Sequence, residues 1–521
     1  MSYSIPLASP ASKSKLRTPS NFSPFSGMCS VCHGDCVGSC EIGNSALRGS
    51  EAVYPVVDDK TQTASEKDYP VDLSHFNISG STFGAQGIEA DSDRAIFPRA
   101  QLNVEVGRGE EKIRLKAPLL LAAVAKLNWR DYFAGAALAG LIGVIGEDAC
   151  AKDAKLQVKN GRILKSPLID SMVGAFRDYY QGYGAIFLQA NVDDEKLGVL
   201  EYGIAELGLE AVELKMGQGA KGVQGVGSIS TLEEALATSK LGYVVYPNPQ
   251  EAQVQENYRK GYISQFFKVG RLPMWDEEVL HRRIKELRSR GAKFISLKVG
   301  PYRPADLARL AKFACLSEVD LVTFDSAGGG TGKSPWKMMN EWGLPTVYLE
   351  SLLHEFFGIL KGQGLTLPRV AVAGGFALED QIFKGLALGA PHVNLIGMCR
   401  APMAAAMVGK RVGELVAKGQ VPKHLQEYGT SREEIFAKAR ELKEIYGPDY
   451  TKIGPGAIGV YNYVERLKAG LRLLMALNRK FSLEDIGRED IFALTREAAA
   501  VSGIALPGEM DREEIRQILG S

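Results

Sequence analysis

The sequence predicts an α/β fold: an eight-stranded (β/α)8 TIM barrel with a cysteine-rich N-terminal arm and a helical C-terminal appendage. Three observations predict it. Short apolar runs alternate with longer helical patterns; glycine-dense turns follow the last runs; and no Gly-x-Gly-x-x-Gly follows the first run, which argues against an open doubly wound sheet. With 521 residues, 45% of them hydrophobic, the chain can bury one large core with accessory segments.

The arm is expected over residues 1–70. Its first stretch, to about residue 25, is rich in Ser, Pro and Lys and has no apolar core of the kind a secretory signal needs. The barrel is expected over 71–425. Its strands are predicted at 76–79, 141–145, 185–189, 211–215, 294–299, 321–324, 370–373 and 393–396. Helical patterns lie between them at 129–139, 195–207, 277–290, 304–314, 336–359, 377–388 and 401–417. The run at 119–124 is too short to cross a bilayer, and Lys126 interrupts it. Residues 217–270, with five early glycines and then Pro247 and Pro249, are expected to form a long irregular insertion. From 426 to 521 only amphipathic helices are expected, with no strand.

Composition narrows the function. A formal net charge of +1 gives no global field for nucleic acid or a membrane surface, so the expected partner is a small molecule. No membrane insertion is expected. Seven cysteines, four of them between positions 29 and 40, suit a metal or cluster in a reducing compartment better than a disulfide framework, and the expected location is cytoplasmic.

The densest chemical signal is the run from Val319 to Pro335, where an apolar strand enters a turn carrying Asp325, Ser326, Gly329, Gly330 and Thr331. Glycines let backbone N–H groups approach a planar or anionic ligand, and the carboxyl ends of barrel strands are where such folds place chemistry. Further turns at Gly374-Gly375 and Gly397-Met398 follow the seventh and eighth strands, the usual place for a phosphate grip. That predicts a phosphorylated cofactor, against the plainer reading of turn glycines alone. Lys298 and Lys215 end two further strands. A strand-end lysine is often only a solvated rim residue. Here two of them beside a glycine loop suit a flavin, whose reduced anion needs a cation near N1.

These residues resemble the FMN-binding (synthase) domain of glutamate synthase and its relatives, from about residue 75 onward. Ser79-Gly-Ser-Thr-Phe-Gly-Ala85 is similar to the family's Ser-x-Met-Ser-Phe-Gly-Ala turn, and Gly146-Glu147-Asp-Ala to its Gly-Glu-Gly-Gly turn. Leu214-Lys215-Met-Gly-Gln218-Gly-Ala-Lys221 resembles its Ile-Lys-x-x-Gln-Gly-Ala-Lys motif, and Asp325 to Pro335 its Asp-Gly-x-x-Gly-Gly-Thr-Gly-Ala-x-Pro signature. The resemblance implies that Ser81, Thr82, Gln189, Lys298, Ser326, Gly330, Gly374, Gly375 and Gly397 bind FMN, with Asp325, Gly329, Thr331 and Met398 in the same turns. It implies that Glu147, Lys215, Gln218 and Lys221 serve catalysis on a 2-oxo acid. Two departures stand out. The family's three-cysteine run for a 3Fe-4S cluster after the eighth strand is reduced to Cys399, and its Ser-Pro-x-x-His-His segment is absent.

Cys29, Cys32, Cys36 and Cys40, separated by glycines and polar residues, suit an iron–sulfur cluster, with 4Fe-4S favoured. A four-thiolate zinc site is the rival, since it uses similar spacing. Cys150, Cys315 and Cys399 stand alone and behave as small apolar residues.

The expected activity is a glutamate synthase-like oxidoreductase that reduces an imine formed from a 2-oxo acid and ammonia. Alternatives are the FMN subunit of a methylamine–glutamate N-methyltransferase-like complex, or an electron-transfer flavoprotein subunit without its own substrate. No nicotinamide fingerprint is present, so a ferredoxin or a separate flavoprotein subunit is the expected electron donor. A separate amidotransferase subunit is the expected ammonia source, and an oligomer is expected. Cys32→Ala is expected to remove or convert the cluster, with loss of broad visible absorbance and of iron by metal analysis. Unchanged iron content in a variant lacking all four cysteines sinks the assignment, and stoichiometric zinc without iron replaces it with a structural knuckle.

Overall fold

A strand buried on both faces is apolar along most of its length, and such strands pair in parallel with helices packed outside them. Eight largely apolar segments among the described residues pair in this way and close on themselves. The computed structural model describes residues 35, 37, 41–49, 65, 67–108, 112–217, 226–330 and 336–520. Its strands in chain order begin with β1 (Phe76–Ile78), β2 (Val104–Val106), β3 (Ile113–Leu115), β4 (Leu119–Val124), β5 (Ile142–Ile145) and β6 (Gln157–Lys159). Then come β7 (Arg162–Lys165), β8 (Ala185–Ala190), β9 (Ala211–Lys215), β10 (Val226–Ile229), β11 (Val244–Tyr246) and β12 (Phe266–Val269). The last are β13 (Phe294–Val299), β14 (Leu321–Asp325), β15 (Arg369–Ala373), β16 (Val393–Met398) and β17 (Ile491–Ala493). The barrel runs β4-β5-β8-β9-β13-β14-β15-β16 and back to β4, every pairing parallel.

The first barrel strand differs from the expected one. Residues 76–78 form only a three-residue strand that pairs antiparallel with β17, outside the barrel. The place belongs to Leu119–Val124, six residues that are almost wholly buried. Its uninterrupted apolar run is the mark of a strand covered on both faces. The same pairing corrects the C-terminal expectation, since β17 is a strand within 426–521.

Inside the barrel, Leu120, Ala122, Ile142, Val144, Phe187, Phe294, Leu321 and Leu395 form one cluster with Val106 and Leu115. Val106 and Leu115 belong to the β2–β3 hairpin, which thus plugs the end where the strands begin. The opposite, carboxyl-terminal mouth is left for polar groups. The insertion after β9 is more regular than expected. Residues 226–269 form a three-stranded antiparallel sheet, β10-β12-β11, with the helices Leu232–Lys240 and Ala252–Arg259 and a small core of Ile229, Ala235, Val245 and Phe266.

The long helix Pro455–Leu477 lies against the barrel helices Trp129–Ala139 and Arg400–Ala417, so the C-terminal region is part of the outer layer. Close approach makes this possible. A Cβ on Gly409 would lie 2.7 Å from the Pro455 carbonyl oxygen and 3.1 Å from the Cα atoms of Gly456 and Gly459. Gly409→Val is therefore expected to destabilise the protein by about 1–3 kcal/mol, the range for overpacking a filled interface. Urea unfolding of the two proteins checks it, and coincident midpoints would show that the helices do not meet this closely.

Candidate active site at the barrel mouth

Strand alternation decides which side chains face inward. In β9, Val212 and Leu214 pack outward into the main core, which leaves Glu213 and Lys215 for the interior. By the same alternation β13 turns in Ser296 and Lys298, and β14 turns in Thr323 and Asp325. The register aligns Glu213 with Ser296 and Lys215 with Lys298 on one side, and Lys298 with Thr323 on the other. Two polar layers therefore sit above the apolar plug.

In the lower layer, Glu213 accepts hydrogen bonds from Gln189 Nε2 at 2.5 Å and from Ser296 Oγ at 2.7 Å. In the upper layer, Lys298 Nζ lies 3.0 Å from Asp325 Oδ1, and Lys215 Nζ lies 3.7 Å from Glu147 Oε1. Gln189 ties the layers together, because its Oε1 accepts from the Glu147 N–H at 3.4 Å. Burial works against the Lys298 charge, but the nearby Asp325 and Glu213 carboxylates outweigh it and hold the ammonium above its usual range. Thr323 Oγ1 and Asp325 Oδ2 are buried without a hydrogen-bond partner among the described residues. Buried polar atoms seldom stay unsatisfied, so a ligand with donors fits here.

The glycine turns are held by hydroxyls. Ser326 Oγ and Thr346 Oγ1 lie 2.7 Å apart, and Thr346 donates to the Gly374 carbonyl at 2.9 Å. Gly374 packs directly under Ser326, where a Cβ would lie 2.2 Å from Ser326 Oγ. Gly375 differs: its φ of 91° is left-handed, and among the described residues only Thr346 Oγ1 comes within 4 Å of where a Cβ would stand. That is an open backbone surface that a phosphate can approach. Gly397 faces Ala373, and Met398 is buried, its carbonyl accepting from the Tyr132 hydroxyl at 3.3 Å. Gly329 and Gly330 lie on the same loop after β14, where the Gly329 N–H donates to the Ser326 carbonyl at 3.0 Å. The segment just before the barrel reaches this loop as well, with the Tyr69 hydroxyl donating to the Ala327 carbonyl at 3.3 Å.

Lys298, Asp325, Ser326, Gln189, Lys215 and Glu147 are thus brought to one mouth. Ser81 and Thr82 are not at a barrel-strand end. They are exposed on a loop after β1, where the Ser81 N–H bonds the Leu477 carbonyl at 2.9 Å and Arg479 Nε donates to the Ser81 carbonyl. The strand-end position they were expected to fill belongs to the end of β4, where the Ala123 carbonyl accepts from Cys399 Sγ at 3.7 Å. Gln218, Lys221, Thr331 and the four N-terminal cysteines lie outside the described residues. Among the described residues no cluster of His, Cys, Asp and Glu could hold a metal ion. No helix among them is long and apolar enough to cross a membrane. Glu213, Ser296 and Thr323 escaped the sequence reading, although polar residues at alternate positions of otherwise apolar strands mark them.

Beside the mouth lies a carboxylate pair that the sequence did not announce. Asp148 takes a left-handed conformation, φ 61°, at a turn position where the resembling family has glycine. Its N–H donates to Asp194 Oδ2 at 2.9 Å, and its carboxylate pairs with Lys268 of β12 at 2.9 Å. Asp194 also accepts from the Cys150 thiol at 3.2 Å. Burial, and then the Asp148 charge, push the Asp194 carboxyl up to about 7. Asp148 keeps the ionised role because Lys268 and Lys152 overcome its burial and lower its pKa.

Residues 271–408 match the model of the conserved region in glutamate synthase, which bears out the resemblance over the segment carrying Lys298, Asp325, Ser326, the glycine turns and Met398. No curated protein matches the chain. Among solved structures, the flavin-binding domain of baker's yeast flavocytochrome b2 aligns over 85% of this chain and 81% of its own at 12% identity, with a TM-score of 0.46. A Pediococcus acidilactici protein described as a lactate oxidase aligns over 80% and 82% at 14% identity, with a TM-score of 0.42. A mandelate oxidase variant aligns over 80% and 87% at 14% identity, also with 0.42.

The raised Asp194 pKa has a definite sign in stability. The folded state keeps a proton that the unfolded chain releases near its ordinary value of about 3.9. That stabilisation is complete below about pH 4 and is lost as pH rises through about 7. Asp194→Asn cannot titrate, so its thermal midpoint is expected to fall less than the wild type's between pH 4.5 and 7.5. Parallel curves for the two proteins would sink this reading.

Proposed function

We propose that the chain is an FMN-dependent oxidoreductase of the glutamate synthase type that reduces the imine formed from a 2-oxo acid and ammonia. One observation carries the reading. The span that matches the glutamate synthase region supplies Lys298, the Asp325 loop and the glycine turns, and all of them meet at one barrel mouth.

The residues present fit the cofactor. The open backbone at Gly375 suits its phosphate, and the unpartnered Thr323 Oγ1 and Asp325 Oδ2 suit a ring bearing hydrogen-bond donors. Lys298 would present its ammonium to the pyrimidine end of the ring, and Asp325 would hold that ammonium in place. When bound, FMN supplies hydride transfer.

The remaining work belongs to the chain. Lys215 is a buried cation at the end of β9, suited to a substrate carboxylate, and Glu147 holds it until substrate arrives. Gln218 and Lys221, which the resemblance assigns to the same substrate, follow it in sequence. Closure of the lower end by the hairpin keeps water from entering along the barrel axis. The overall reaction, 2-oxo acid with ammonia, two electrons and two protons giving amino acid and water, needs an electron donor of the ferredoxin or flavoprotein class. Cys29, Cys32, Cys36 and Cys40 are the proposed ligands of a 4Fe-4S cluster on that route, and the cytoplasm is the proposed setting. Cys399, standing alone where the resembling family has three cysteines, favours a second reading, turnover of methylamine with glutamate.

Purified protein reduced under argon is expected to show a flavin spectrum and to reoxidise with glutamate formation only when 2-oxoglutarate and ammonium are both present. Reoxidation by neither, together with turnover of methylamine and glutamate, would replace the first reading with the second.

A further inference from the structure

Glu213 takes no part in the function proposed above, yet it lies at the centre of the polar interior. It is 2% exposed, and its two oxygens accept from neutral donors, Gln189 Nε2 and Ser296 Oγ. In the register of β9 and β13 it lies one step below the Lys215–Lys298 pair. Lys298, itself 4% exposed, already has Asp325 at 3.0 Å. In the strand register Lys298 therefore lies between two carboxylates, Glu213 one step below and Asp325 one step above.

We propose that Glu213 is a positioning residue that holds Lys298 from the layer below and, by its negative charge, keeps the reduction potential of the bound flavin low. The inference rests on the flavin reading of this site. Reducing a flavin adds negative charge to its ring, and a lone lysine under the ring would favour that step. Among the described residues, the mouth instead sets Lys215 and Lys298 against Glu147, Glu213 and Asp325. Charges in a poorly solvated interior act over several ångströms, so the layer below would still act on a flavin ring held at the mouth. The attraction of Lys298 to Glu213, which helps to hold its ammonium above the usual range, is consistent with that reach. A low-potential flavin is the kind that a strongly reducing iron–sulfur donor can still reduce and that then gives its electrons up readily.

A purely structural role predicts a different result. Glutamine has the same shape; its oxygen can accept from Gln189 Nε2 and its nitrogen can donate to Ser296 Oγ, so a residue needed only for its hydrogen-bond contacts would tolerate Glu213→Gln without any change in the flavin. The test uses the full-length, flavin-loaded protein with Glu213→Gln and Glu213→Asp, titrated spectroelectrochemically. Glu213→Gln is expected to shift the two-electron equilibrium at least tenfold toward the reduced flavin, about 30 mV upward. Glu213→Asp, which keeps the charge, is expected to stay near the wild type. An unchanged potential in Glu213→Gln overturns the proposal.

If Glu213→Gln no longer retains flavin, the flavin-free proteins decide. Competitive acylation of Lys298 across pH, read by mass spectrometry, is expected to titrate lower in the variant, and an unshifted titration overturns the proposal. A wild-type protein that binds no flavin would contradict the proposed function. The Lys298 titration would still report separately on the link between Glu213 and Lys298.

Discussion

Burying a lysine inside a barrel costs several kcal/mol of lost hydration unless counter-charge and hydrogen bonds meet it. Lys298 is met by Asp325 at 3.0 Å, and that contact requires β13 and β14 to be neighbours in their observed register. Removing one partner of such a pair costs about 3–5 kcal/mol, because the other charge is left stranded. A penalty of that size is comparable with much of a domain's net stability. The pairing of strands and the composition of the mouth are therefore parts of one constraint. The Glu213–Ser296 and Gln189–Glu213 bonds extend it to β9 and β8, so four adjacent strands are locked by polar contacts within the barrel.

The apolar half of the interior does the complementary work. Phe187 and Phe294 meet with ring centroids 5.1 Å apart, and the β2–β3 hairpin adds Val106 and Leu115 beneath the strands. With that end filled by described side chains, the charged layers face the carboxyl-terminal side. The hairpin is also tied electrostatically: the Arg108 N–H donates to Asp320 Oδ1 at 2.9 Å, while Asp320 Oδ2 accepts from the Ile295 N–H at 2.8 Å and from Arg288 at 2.6 Å. Polar groups at this lower end serve stability, and those at the upper end surround the candidate site, the division expected of such barrels.

Much of this was legible in the sequence. Seven of the eight barrel strands are where their apolar runs predicted, because a strand buried on both faces shows itself in composition alone. The exception is instructive. Leu119–Val124 is an uninterrupted apolar run, as a strand covered on both faces requires, whereas Phe76–Ile78 is broken by the exposed Asn77 and pairs outside the barrel. Lys298, Asp325 and Lys215 were visible as charges at strand ends. Glu213, in the middle of its strand, was not, since its meaning depends on partners from β8 and β13 that only the closed barrel brings near. The ordered sheet in the insertion was hidden for a similar reason: its early glycines suggested a loop, whereas its core of Ile229, Ala235, Val245 and Phe266 assembles across separated short segments.

That ordered insertion explains the turn at Asp148. A non-glycine residue in the left-handed region costs about 1–2 kcal/mol, and glycine would avoid the strain. This chain accepts it because the aspartate side chain has work that glycine could not do. Asp148 pairs with Lys268 of β12, whose ammonium also lies 4.2 Å from the centre of the Tyr243 ring, while Arg271 just beyond β12 bonds Asp193. Tyr243 in turn meets the Cys150 thiol at 3.4 Å. These contacts join the inserted sheet to the turns after β5 and β8, immediately beside the Glu147–Lys215 pair. The position that the resembling family gives to glycine has here become an attachment point, and the strain at Asp148 is offset by holding a second layer of protein at the edge of the mouth.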